Sequence, residues 1–402
     1  MAISLIEALN ILDKEQLPYK KEILCLEDAL GRVAATNIEA LCDLPNFDNS
    51  AMDGYTVRLE DAGKEVKVVG TILAGEQKEL IVEPGSAVKI MTGAKLPKGC
   101  EAVVPIEDVE YLGERIILPQ KIKENANMRF AGEDVAKGST IVQKGERLSS
   151  YHLSLLASQG ISYLEVFKKP KVSVFATGSE LKMHYERLQA SQIYNSNTPS
   201  FAARAKELGC EVSFYQKSGD DLESIKEAIS NALDADLIVT SGGISVGEAD
   251  FTKEAFRELG MEILFSKIDI KPGKPTTLGK IGSTYVLNLP GNPLAAQLNF
   301  ELFARTLINR LRGLRAYHLR PIKAKLKEKL TIKPGRDTVI PGYFDGEFFE
   351  PSAKRAPGMV SVMPKANGFI IVDKKLGEVK KEVNFIPLWD FYADEAKSLI
   401  SG

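Results

Sequence analysis

The side chains with the most chemistry to offer fall in short polar stretches. Glu180 stands in "ATGSEL", Asp220 and Asp221 in "QKSGDD", Asp250 in "TSGGISVGEAD", and Lys271 and Lys274 in "IKPGKPT". Carboxylates gathered in one place repel one another, a cost that makes sense when a cation sits among them. Oxygen ligands without His or Cys point to Mg²⁺ over zinc. Two ammonium groups on a proline-stiffened turn suit an oxyanion or a phosphate. In "TSGG", Gly242 and Gly243 let a ligand approach the backbone amides, and Ser241 and Ser245 add hydroxyl donors. "NLPGNP" sets Gly291 in a stiff loop after Pro290, a carrier of backbone amides or a plain helix entry.

Each stretch also has a structural use. Glu180 follows Thr177 at the T-x-x-E spacing of a capping box, and Asp220 or Asp221 is placed to cap a helix starting at Leu222. Adjacent glycines after a strand are the default material of a tight turn, and a lysine-rich turn can simply be solvated. Asp53 in "DNSAMDGY" and Thr92 in "IMTGA" sit in polar, glycine-containing turns of the same ordinary kind. What separates the readings is whether the elements bring these groups together.

The elements follow from hydrophobic period. The opening segment reads as a helix with Ile3, Ile6, Leu9 and Leu12 on one face, and a second helix near Leu26–Leu30 stops at Gly31. From about residue 44 to 137 short β-branched runs such as "EVKVVG", "SAVKIMTG", "EAVVPIEDV" and "RIILPQ" alternate with Gly and Pro, the texture of a small β-rich module. Helical spacing returns at Leu153, Leu156 and Ala157, so an α-rich piece is split around that module. From Lys171 strands and helices alternate: "VSVFATG", then a helix with Thr198 as N-cap and Pro199 at its first position, "EVSFY", a helix burying Leu222, Ile225, Ile229 and Leu233, and "ADLIVT". That rhythm predicts an α/β fold with a doubly wound, mostly parallel sheet. Its ligand site then lies beyond the carboxyl ends of the strands, where Glu180, the Asp220/Asp221 pair and Asp250 all fall. After the helix in "NFELFARTLINRLRGL", short strands with turns at "KPGRD" and "FDGEF" predict a small β-barrel or sandwich.

Composition narrows the function classes. The 52 basic and 54 acidic side chains nearly cancel, so no overall field recruits nucleic acid or an anionic membrane. Cys25, Cys42, Cys100 and Cys210 are scattered without a CxxC, and His152, His184 and His318 are far apart, which disfavours a zinc site or a disulfide framework and fits a reducing compartment. No stretch has eighteen uninterrupted apolar residues and the start is amphipathic, so a cytoplasmic protein without signal or transmembrane segment is expected.

Taken together the stretches resemble one family closely, the molybdopterin molybdenumtransferases or MoeA proteins, similar to the C-terminal domain of gephyrin. The resemblance runs through "LPNFDNSAMDGYTV", "IMTGAKLPKGCEAVVPIED", "AGEDV", "FATGSEL", "TSGGISVGEADF", "IKPGKPT", "LPGNP" and "ANGF", in the family's order. It implies an α-rich split domain at 1–45 and 137–168, an inserted β-rich domain at 46–136, a molybdopterin-binding α/β domain at 169–315 and a C-terminal β-barrel-like domain at 316–402. The implied activity is insertion of molybdenum from molybdate into adenylyl-molybdopterin, with Mg²⁺ assisting and AMP released.

By motif match the resemblance puts the pterin phosphate and pyrophosphate near Ser241, Gly242, Gly243 and Ser245, with Pro290 and Gly291 alongside and Lys271 and Lys274 as a positive clamp. Glu180 and Asp250, supported by Asp221, match the cation-binding or activating carboxylates. Asp53, Thr92 and Asp134 match positions in the inserted domain, which in similar proteins faces the sheet domain of the other subunit. A homodimer with a shared site is thereby implied. Arg355 and Ser361 match possible molybdate contacts. Where the family often has a second basic residue before "GED", this chain has Phe130. Expected partners are its small-molecule substrates and, transiently, the molybdopterin adenylyltransferase and apo-molybdoenzymes. Two other readings are that adenylyltransferase itself, which shares the "SGG" sheet, and a gephyrin-like scaffold.

Overall fold

The computed structural model describes residues 2–218, 221–242 and 251–389. The expectations for Asp220, Gly243, Ser245 and Asp250 fall outside them. The central element is a six-stranded sheet in the order Glu211–Ser218, Lys171–Thr177, Leu237–Ser241, Thr284–Leu289, Thr277–Ile281, Glu262–Phe265. The first four strands run parallel, and the last two are joined by antiparallel pairings, so that Thr277–Ile281 alone runs against the rest. The antiparallel edge comes from a two-residue turn: Ile281 pairs with Thr284 across Gly282, whose φ of 59° suits a tight hairpin, whereas parallel neighbours need a long crossover.

Side-chain alternation along the strands gives this sheet two buried faces. Val172, Val174, Leu237, Val239 and Leu287 pack on one side with Phe201, Ala202 and Ala205 of helix Asn197–Glu207. Phe175, Ile238 and Val286 pack on the other with Ile225 and Ile229 of helix Leu222–Asn231 and Ala255 and Phe256 of helix Phe251–Glu258. Each Val, Leu, Ile or Phe among them taken fully out of water stabilises the fold by about 1.5–3 kcal/mol. Helices on both faces make the sheet doubly wound, as the sequence predicts.

The first helix, Leu5–Lys14, begins at a capping box between Ser4 and Glu7. Its buried residues are Leu5, Ala8 and Leu12, with Ile3 and Leu9 packed against the same core, so of the expected face Ile6 turns outward, 64% exposed, and the other three face inward. Leu5, Ala8 and Leu12 join the sheet's first core, so this helix packs on the sheet. Near Leu26 the expected helix is a single 3₁₀ turn, Leu26–Ala29, preceded by a strand, Lys21–Cys25. That strand pairs antiparallel with Tyr163–Phe167, and Leu44 bridges Val135, so the chain returns to the same unit after its excursion.

Between those crossings lies a second six-stranded sheet, ordered Ala102–Pro105, Gly54–Val57, Ser86–Ile90, Glu65–Ile72, Arg115–Ile117, Glu110–Tyr111. In the C-terminal region Asp337–Phe344, Phe348–Pro351, Ile322–Leu326, Glu382–Pro387 and Gly368–Val372 close into a five-stranded barrel, since the last strand also pairs with the first. Ile270–Lys271, leaving the sheet domain, adds to its edge beside Asp337 and Thr338. Among the described residues no helix is long and apolar enough to cross a membrane.

Candidate active site

Parallel register lines up three strand ends. Ala176 pairs with Ser241, and Ser241 with Leu289, so the loops after Thr177, Ser241 and Leu289 leave the sheet side by side. Beyond them opens a cleft of about 850 Å³. Of the expected residues, Glu180, Ser241, Gly242, Pro290 and Gly291 line it. The loops crowd each other where they start: Gly242 has φ 98°, and a Cβ there would lie 2.5 Å from the Thr177 carbonyl oxygen. Its amide donates to the Leu289 carbonyl at 3.3 Å. Only glycine meets both demands.

Glu180 does not form the expected capping box. The chain after Thr177 turns into a short strand, Leu181–Lys182, paired with Ile193–Tyr194, and no helix begins there. The Thr177 hydroxyl is buried without a partner, and the Glu180 carboxylate, which lines the cleft, meets no hydrogen-bond donor among the described residues. Asp221 does cap its helix: its two oxygens accept from the Ser224 amide at 2.9 Å and the Ser224 hydroxyl at 2.6 Å. Ser224 accordingly holds the Asp221 carboxyl below its ordinary range. Among the described residues there is no group of three or more His, Cys, Asp or Glu placed to hold a metal.

The cleft also contains residues that a search for titratable groups passes over. Asn197, in the first turn of its helix, donates through Nδ2 to Ser241 Oγ at 3.2 Å and to the Gly291 carbonyl at 2.9 Å, tying the end of strand Leu237–Ser241 to the loop before Pro293. Its Oδ1 is buried without a partner. Asn195, just before the same helix, accepts from the Thr198 amide at 3.1 Å and donates to Thr198 Oγ1 at 2.9 Å. The sequence predicts Thr198 as N-cap; the helix starts earlier, at Asn197 after N-cap Ser196, and the Asn195 side chain, not that of Ser196, binds the first turn. The legible signal was "YNSNTPS", two asparagines just before a Thr-Pro helix entry, since Asn favours such positions.

The "IKPGKPT" loop is held from below. Thr276 Oγ1 shares its one proton between Gly273 O at 2.9 Å and Asn299 Oδ1 at 3.0 Å, while Asn299 Nδ2 donates to Ala295 O at 2.6 Å and Pro272 O at 3.3 Å. Pro275 reaches the cleft wall. Lys271 and Lys274 flank it, exposed and with no acidic partner among the described residues. They border the cleft and do not line it.

Arg355 and Ser361 belong to the loop after strand Phe348–Pro351. This loop docks on the sheet domain where Pro357 O accepts the Leu294 amide at 2.9 Å and the Ala295 amide at 3.3 Å, satisfying free amides at the start of helix Pro293–Asn299. Gly358 and Val360 thereby enter the cleft wall. Arg355 itself donates to Ser352 O at 2.8 Å, and neither it nor Ser361 lines the cleft.

In the inserted sheet the pairing of Gly54 with Ile90 brings the next turns together. Asp53 Oδ1 accepts from Thr92 N and from Thr92 Oγ1, both at 2.7 Å. The Thr92 amide, and then its hydroxyl, hold the Asp53 carboxyl below its usual range. Asp134 is exposed on a loop tied back by its amide to Leu44 O at 3.0 Å. These three residues lie outside the cleft of their own chain.

A doubly wound sheet with a polar cleft at its carboxyl edge defines a ligand-binding α/β protein, here carrying an inserted β unit and a terminal barrel. Three family descriptions match it in order: "MoeA N-terminal region (domain I and II)" over 3–160, "Probable molybdopterin binding domain" over 173–310, and "MoeA C-terminal region (domain IV)" over 323–388. A molybdopterin molybdenumtransferase of Staphylococcus epidermidis is 33% identical over 389 residues, covering 91% of this chain and 93% of that protein. One from Haemophilus influenzae is 36% identical over 377 residues, with the same coverage. A molybdopterin biosynthesis MoeA protein of Pyrococcus horikoshii has a solved structure that superposes with a TM-score of 0.86 at 27% identity, covering 96% of this chain and all of that one. The chain belongs to the MoeA family and is an enzyme of the molybdopterin molybdenumtransferase type, acting in molybdenum cofactor biosynthesis.

Proposed function

We propose that this enzyme inserts molybdenum from molybdate into adenylyl-molybdopterin and releases AMP, with Mg²⁺ assisting. The observation that carries the reading is the make-up of the cleft: Gly178, Gly242 and Gly291, where a ligand can come close to the backbone, a hydroxyl donor at Ser241, an unengaged carboxylate at Glu180, and a lysine-bearing loop at the rim. A substrate with a pyrophosphate needs amide donors and positive charge, and a dianionic metal oxide needs cationic or hydroxyl donors.

In this reading Ser241 and Gly242, with Gly243 and Ser245 beyond the described residues, hold the phosphates, and Pro290 and Gly291 wall the pocket. Lys271 and Lys274 attract both anions, and Arg355 and Ser361 approach molybdate from the barrel's loop. The donor set fits Mg²⁺, which keeps several waters and takes one or two carboxylates together with substrate phosphates. Glu180 has its oxygens unspent, Asp250 completes the pair, and Asp221 supports from its helix cap. When bound, the cation neutralises charge building on the departing AMP. Asp53, Thr92 and Asp134, outside the cleft of their own chain, act on the cleft of a second subunit in a homodimer. Four unpaired cysteines support a cytoplasmic setting, where the enzyme meets the adenylyltransferase that makes its substrate and the apo-enzymes that take its product.

The test is single-turnover AMP release from adenylyl-molybdopterin. Release that requires both molybdate and Mg²⁺ is expected. Release at the same rate without molybdate overturns the reading.

A further inference from the structure

At the amino edge of the parallel sheet, away from the cleft, a cavity of about 150 Å³ opens between the split unit and the sheet. Arg32, Arg147, Lys168, Lys169 and Arg312 line it, against one carboxylate, Glu207, among the described residues. Neither end of that balance is as it first looks. Glu207 is already engaged by Arg204 Nη1 at 2.8 Å, and Arg32 is already paired with Glu22 while donating to Phe167 O at 2.7 Å. The other four cations have no ion pair among the described residues.

Arg312 forms the floor. It ends the helix Arg305–Leu311, donates to Gly31 O at 3.0 Å, and lies close enough to Gly209 that a Cβ there would sit 3.4 Å from the guanidinium. Burial first, then the neighbouring Arg147 and Arg32, push its pKa down. Two helix carboxyl ends, after Glu207 and after Leu311, face this region, but each supplies only about half a negative charge, too little to balance four cations. Positive charge gathered in a partly buried pocket with no carboxylate to match it is stable when an anion shares it.

We propose that this pocket binds a small tetrahedral dianion of the phosphate or sulfate class. Arg32 and Arg312 make the floor, and the exposed Arg147, Lys168 and Lys169 make the mouth. The anion joins the two units, because Arg147 and Lys168 come from one side of the junction and Arg312 from the other.

The experiment is calorimetric titration of the purified full chain with sodium phosphate and with sodium sulfate, against sodium chloride at equal ionic strength. Saturable binding of both dianions, and not of chloride, is expected, with a rise in Tm. Arg312→Gln is expected to weaken phosphate binding about tenfold, the loss of one charge-assisted bond. Arg147→Gln, at an exposed position that the fold does not need, is expected to weaken it about threefold or more and guards against a folding defect in the first variant. Phosphate that binds elsewhere, the cleft included, keeps its affinity in both variants, and that result overturns the proposal. Equal effects of chloride overturn it too. AMP that displaces phosphate, with the same sensitivity to Arg147→Gln, identifies the ligand as a phosphate carried on a larger molecule. Failure to displace identifies a free anion, and the site stands in both cases.

Discussion

Glu180 is the described carboxylate whose surroundings ask for a ligand. Its side chain lines the cleft and makes no hydrogen bond among the described residues, so Glu180→Gln removes charge without undoing a structural contact. AMP release by Glu180→Gln is expected to fall about a hundredfold or more with Tm unchanged, the scale of losing a group that acts on developing charge. Asp53 behaves differently because Thr92 satisfies it. Its folded pKa is lowered, so the pairing stabilises the protein above the unfolded carboxyl's pKa of about 3.9 and the gain is lost as pH falls through the folded value. Thr92→Val is therefore expected to lower Tm at pH 7 and to converge on the parent as pH falls through the folded Asp53 value, as thermal melts over a falling pH series would read. A constant difference at all pH values would place the effect in packing. The types and spacings of Glu180 and Asp53 were legible in the chain. The choice between cap and ligand was not, since both uses want an acid a few residues past a strand.

At the scale of elements the site is three loops and a brace. Asn197 ties the end of strand Leu237–Ser241 to the loop before Pro293, and Asn299 holds the lysine loop from beneath. Gly273 shows how close that support is: with φ at 110°, a Cβ would fall 1.8 Å from Asn299 Nδ2. Gly273→Ala is expected to cost about 2 kcal/mol or more and to raise the KM for molybdate. The double variant Gly273→Ala/Asn299→Ala is expected to cost less than the two single changes added, because the second opens room for the first. Urea midpoints of the four proteins check this, and strict additivity would mean that the strain is purely backbone. Apolar period placed most of these elements. On the first helix it placed Ile3, Leu9 and Leu12 inward but misjudged Ile6, because Leu5 and Ala8 continue the same stripe on its other side and only the partner surface fixes where the stripe is centred.

For the whole molecule the question is what joins units that the chain visits out of order. Glu301, 6% exposed, accepts from Arg204 at 2.7 Å and from Arg305 at 3.3 Å, and the two guanidiniums reach on to Leu388 O and Pro387 O at the barrel's end. Burial works against the charge on both arginines; for Arg204 the bonds to Glu301 and Glu207 outweigh it. If the inserted unit serves a partner's cleft, Asp53→Asn and Glu180→Gln fail in different halves of one shared site. Co-expression of the two inactive variants is expected to restore about a quarter of parental turnover, since half the dimers are mixed and each holds one intact site. No recovery in dimers shown to be mixed would confine each site to one chain.

By itself the chain determined the alternation of strands and helices, the inserted β module, a terminal unit of short strands left open between barrel and sandwich, and the polar stretches at strand ends. Local period and turn chemistry encode all of these within a few neighbouring residues. The tertiary structure decided which of those stretches meet. Parallel register set Thr177, Ser241 and Leu289 abreast, so Glu180, Gly242 and Gly291 share a cleft. It also closed the terminal strands into a barrel and brought in Asn197, which no charge had marked. Proximity across tens of residues depends on strand pairing and core packing, and single positions in a sequence do not carry it.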